Sequence, residues 1–112
     1  MDEQSINGCI ARAKGYKIRA FEKDGSANVV IIADGHTLYQ TLNYTTDPAL
    51  NRELELELLE AGWIPHRDFY ASGYTWDSPH RFDGLNKPEF SINDKDFGKA
   101  TAMAYIKMNQ GL

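Results

Sequence analysis

The stretch Asn43-Tyr44-Thr45-Thr46-Asp47-Pro48-Ala49-Leu50, running on to Glu60-Ala61-Gly62-Trp63, specifies a helix with both ends marked. Asp47 can accept hydrogen bonds from the unpaired amides of the first turn, and Pro48 suits the first helical position because the N–H it lacks has no partner there. Gly62 supplies a left-handed stop. Between these ends Leu50, Leu54, Leu58 and Ala61 share one helical face, while Glu53, Glu57 and Glu60 share another. Leu-Glu-Leu-Glu-Leu also alternates with the period of a strand, but both residue types favour helix and the caps sit at helical spacing. The acidic row Glu53, Glu55, Glu57 and Glu60 reads as a solvated helix face, or as a mimic of nucleic-acid charge toward a basic partner.

Working toward the N-terminus, Thr37-Leu38-Tyr39-Gln40-Thr41-Leu42 alternates as a strand does, and Asp34-Gly35 before it is a turn signal. The run Val29-Val30-Ile31-Ile32-Ala33 is unbroken and β-branched, which predicts a central strand buried on both faces. Lys23-Asp24-Gly25-Ser26 predicts a hairpin joining it to Tyr16-Lys17-Ile18-Arg19-Ala20. Ile6, Cys9, Ile10 and Ala13 recur at helical spacing between Asp2 and Lys14, with Gly15 as the stop. Working toward the C-terminus, Ile64 to Lys87 mixes prolines, glycines and aromatics, the composition of short strands broken by exposed turns. Asn93, with Asp96 three residues on, predicts the start of a last helix whose packed face is Phe97, Ala100, Thr101, Ala104 and Met108.

The expected fold class is therefore α+β: an antiparallel sheet of about four to five strands packed with three helices, in the manner of a sandwich. At 112 residues the chain suits one domain, and its charged and apolar fractions of 25% and 42% are those of a globular protein. A net charge of −4 argues against broad nucleic-acid binding, which is built from clustered Lys and Arg. One cysteine allows no internal disulfide, and no long apolar run marks a membrane segment, so a cytoplasmic setting is expected.

Three segments together frame most of the chain: Ile6-Asn7 through Gly15-Tyr16, Tyr44-Thr45-Thr46-Asp47, and Asp96-Phe97-Gly98-Lys99-Ala100-Thr101-Ala102. On these the chain resembles the phage ABA sandwich domain of small phage and prophage proteins. The resemblance implies an antiparallel sheet with helices against it and a phage or mobile-element setting. It implies no catalytic residues.

The densest cluster of side chains with chemical potential is His66, Arg67, Tyr70, Tyr74, Trp76, His80 and Arg81. Arg pairs with carboxylate or phosphate, and Tyr and Trp offer flat faces, so the cluster is a candidate binding surface for a protein partner. Its alternative reading is strand aromatics in a core with His and Arg in solvated turns. His66, Asp68, Asp77, His80 and Asp83 are also ligand types for zinc, manganese or iron, which would suit a small metal-dependent hydrolase or ligand-binding protein. Their spacing is no known ligand pattern, and no metal or cofactor is expected. Cys9 sits on an apolar helical face and reads as a small hydrophobe, and His36, which follows a turn and could act as a base beside Asp34, reads as a common surface turn histidine. No glycine spacing matches a phosphate loop. The favoured expectation is a non-enzymatic interaction module of phage type.

Overall fold

The computed structural model describes residues 1–68, 73–79 and 90–110, and of Asp68 the backbone alone. Among these residues three helices, α1 (Glu3–Ala13), α2 (Pro48–Glu60) and α3 (Phe97–Gln110), alternate with six strands: β1 (Lys17–Phe21), β2 (Ala27–Ala33), β3 (His36–Leu42), β4 (Ile64–Asp68), β5 (Gly73–Asp77) and β6 (Ser91–Asp94). The fold is α+β, as expected, but the strands form two antiparallel sheets of three, ordered β1-β2-β3 and β4-β5-β6, in place of one larger sheet.

Helix α2 begins and ends where its sequence marks it. Asp47 accepts from the amides of Ala49 and Leu50 at 2.9 and 3.4 Å. Gly62 adopts φ 89°, a conformation that a Cβ would strain. Leu54 and Leu58 are fully buried. Not all of the acidic row is solvated: Glu57 accepts from Lys14 Nζ at 2.9 Å, which ties α2 to the end of α1. Helix α1 is capped by Asp2, which accepts from Ser5 N at 2.8 Å. The third helix starts later than expected. Asn93 belongs to β6, and Asp96 accepts from Gly98 N at 3.1 Å. Ser91-Ile92-Asn93-Asp94 is too short and polar to show strand periodicity, while the spacing of Asn93 and Asp96 imitates a cap.

Asp34 and Gly35 both take positive φ, 51° and 76°, and join Ala33 to His36 in a two-residue turn whose twist suits a hairpin. Strand β2 is central in its sheet, but it is not buried on both faces. Helix α1 covers one face, where Val29 is 1% exposed, while Ile32 on the opposite face is 77% exposed. The molecule is elongated, 49 × 29 × 20 Å. One cluster of buried side chains spans both sheets and all three helices, from Ile6, Ile10 and Val29 through Tyr44, Leu54 and Leu58 to Trp76 and Tyr105.

Candidate functional site

Strand β5 decides how the sequence-predicted cluster is arranged, because neighbouring residues of a strand face opposite sides. Tyr74 and Trp76 face α3. The ring of Trp76 stacks on Phe97 at 6.2 Å between centroids, and Tyr74 meets the same ring edge-on at 5.3 Å. Trp76 is 0% exposed and its Nε1 donates to Thr101 Oγ1 at 2.9 Å. An indole so placed is a core residue with its polar handle satisfied, and it offers no face to a partner. Arg67, paired in register with Tyr74, lies on that side of the sheet and is exposed.

His66 faces the other way, opposite Thr75. Its Nε2 lies 2.8 Å from Asp77 Oδ2, and Ser91 Oγ donates to Asp77 Oδ1 at 2.5 Å. Asn93 Nδ2 donates to Thr75 Oγ1 at 2.8 Å along the same face. The predicted set is thus divided: His66 on one face, Arg67 on the other, Tyr74 and Trp76 packed under α3. Tyr70, His80 and Arg81 lie outside the described residues, as do Asp83 and the Asp68 side chain. Among the described residues no three His, Cys, Asp or Glu side chains gather as a metal site would require. In the trio that does form, the carboxylate stands between the hydroxyl and the imidazole. A nucleophile relay needs the imidazole in the middle, as the base that takes the hydroxyl proton, so this arrangement is a cross-strand polar clasp.

The segments that carry the resemblance meet in a buried polar junction. Asn7 Nδ2 donates to Gly25 O at 3.0 Å, and Asn7 Oδ1 accepts from Tyr44 N at 2.8 Å. Asn51 Nδ2 donates to Tyr44 O at 2.8 Å and Gly98 O at 2.9 Å. Thr45 Oγ1 donates to Glu3. A Cβ on Gly98 would collide with the carbonyl oxygen of Thr45, which is why this turn of α3 can lie against the loop before α2. Asn7 and Asn51 satisfy main-chain groups, and among the described residues no buried side-chain nitrogen or oxygen lacks a partner, so the junction is structural. Beside it, burial and the nearby Tyr16 and Glu53 push the Tyr44 phenol well above the ordinary range. Burial disfavours the Lys14 ammonium, but Glu57 and Tyr105 together outweigh this and raise its pKa.

What the molecule exposes is the β2–β3 hairpin. Ile32, Leu38 and Tyr39 are 77%, 47% and 66% exposed, three of the seven large apolar side chains so exposed among the described residues. By register Val30, Ile32, Thr37, Tyr39 and Thr41 lie on the face turned away from α1. Arg19 stands over the Tyr39 ring at 5.0 Å, and the two help to line a shallow concavity of about 450 Å³ that reaches Asn28 and Thr41. Sequence reading passed over this surface because a β-branched run reads as buried. The signal that could have found it is the absence of any Asp, Glu, Lys or Arg between Asp34 and Asp47, too long a neutral stretch for an ordinary exposed strand.

His36 is exposed at the hairpin tip beside Asp34, and Cys9 is partly buried against the core. No described helix is long and apolar enough to cross a membrane. In comparisons with protein-family models, curated proteins and solved structures, the chain matches none.

Proposed function

We propose that this chain is a non-enzymatic interaction module, an accessory protein of phage type that works by contact with a macromolecular partner. The observation that carries this reading is the β2–β3 hairpin, which projects from the helical body with Ile32 and Tyr39 exposed on one face and Leu38 on the other. Apolar side chains gathered on one projecting element mark a contact surface, whereas the same residues scattered singly would not. The phage setting rests on the resemblance, and its three segments are those joined at the Asn7 and Asn51 junction. His66 and Arg67 remain exposed as secondary contact points on opposite faces of the second sheet.

A photo-reactive phenylalanine placed at Tyr39 in living cells tests the reading. A discrete cross-linked adduct from position 39, absent from a control position such as Arg52 on the exposed side of α2, is the expected result. No adduct from position 39 would overturn it. The alternative, a small metal-dependent hydrolase, draws on the contact between His66 and Asp77 at 2.8 Å. Stoichiometric zinc or manganese in purified protein would favour it, provided that His66→Ala removes the metal.

A further inference from the structure

Among the described residues two three-stranded sheets leave four edge strands, β1, β3, β4 and β6. An open edge carries unpaired N–H and C=O groups that recruit other strands, and folded proteins block this with charge, proline, bulges or short length. Three of the four edges carry such a block. In β1 the register shifts between Ile18 and Ala20, with Arg19 at the irregularity and Lys17 before it. In β4 Pro65 removes a donor, and Arg67 and Asp68 follow. Strand β6 is four residues long and ends on Asp94. Strand β3 has none of these: seven residues, His36 to Leu42, without a proline, a bulge or any Asp, Glu, Lys or Arg, in unbroken register with β2. Among the described residues no strand pairs with its far side.

We infer that this edge is the docking site for a second copy of the chain, which adds its own β3 antiparallel to form a continuous six-stranded sheet. The inference rests on the contact reading above and names the partner. Two features favour a copy over a foreign strand. A twofold pairing sets every residue of the edge against another residue of the same edge, so any charge would meet a like charge in some register; β3 is neutral throughout. The pairing that uses all seven residues places its axis at Tyr39. It sets Thr37 against Thr41 of the second copy and Leu38 against Gln40. Because the paired positions differ by an even number, their side chains fall on the same face. Each Thr thus meets a Thr, and Tyr39 meets its own counterpart. On the outer face the row from Val30 to Tyr39 would continue through the partner's Tyr39 to the partner's Val30. That pairing would cover the exposed apolar side chain at the centre of the edge.

Sedimentation over a micromolar to millimolar concentration series tests this on the whole chain. The wild type is expected to pass from monomer to dimer. The double variant Thr37→Lys, Thr41→Lys opposes Lys to Lys at both pairs and should raise the dissociation midpoint about tenfold or more; Thr37→Glu, Thr41→Glu should do the same. Mixing the two variants opposes Lys to Glu and should restore association, which a folding defect could not do. A wild type that stays monomeric throughout, a dimer indifferent to both double variants, or a mixture that fails to recover would each overturn the inference. A monomer that still cross-links from Tyr39 to another macromolecule would overturn self-pairing and leave the contact reading standing. Absence of both would remove the two together.

Discussion

Asn7 holds two main-chain groups of different segments: the carbonyl of Gly25 in the β1–β2 turn and the amide of Tyr44 before α2. With the Asn fully buried, Asn7→Ala would strand both partners away from water. At ~1–3 kcal/mol for each abandoned group the loss should be roughly 2–6 kcal/mol, read from a denaturant titration. A change below about 0.5 kcal/mol, as at an ordinary surface site, would mean that the junction does not hold the fold. Alkaline pH should weaken the same region. Burial raises the Tyr44 pKa in the folded chain, so its contribution is complete below the ordinary tyrosine value of 10.0 and is lost as pH climbs past it. Lys14, raised against burial by Glu57 and Tyr105 together, acts in the same direction above its ordinary 10.5. Stability should hold up to about pH 9.5 and then fall, and Tyr44→Phe should make the fall shallower. An identical alkaline slope in that variant would contradict the assignment.

Among the elements, α2 was the most legible, because its information is local: Asp47 and Pro48 act within one turn, and Leu54 and Leu58 follow from helical spacing. Leu54→Ala and Leu58→Ala should each cost about 2–5 kcal/mol, since both side chains are fully buried. The two-residue turn at Asp34-Gly35 was legible for the same reason. Legibility ends where an outcome depends on which face of a sheet a helix covers. The run Val29–Ala33 is uniformly apolar in sequence, yet α1 covers the face that carries Val29 and leaves the face that carries Ile32 open. Val29→Asp should therefore abolish folding, whereas Ile32→Asp should change stability by less than about 0.5 kcal/mol, and thermal melts of the two variants separate these outcomes. Strand β5 shows the converse limit. Tyr74 and Trp76 were visible as aromatics, but whether they face a helix or water depends on where Phe97 and Thr101 of α3 land, far along the chain. His66 and Arg67, adjacent in sequence, part to opposite faces for a reason that sequence does contain, the two-residue period of a strand. Reading them as one patch overlooked it.

At the scale of the whole molecule, a helical body packs against two small sheets, and one hairpin leaves that body with its edge open. The elongated shape, the exposed Ile32, Leu38 and Tyr39, and the neutral β3 edge are separate observations with one physical consequence, a surface that gains by being covered. Backbone amide hydrogen exchange across residues 36 to 42 tests this most directly. The far-side amides of an open edge exchange freely, and pairing with a second strand protects them. The account predicts that exchange in this segment slows as protein concentration rises, while β1 and the body of α2 are unaffected. Exchange in β3 that is equally fast at every concentration would contradict it.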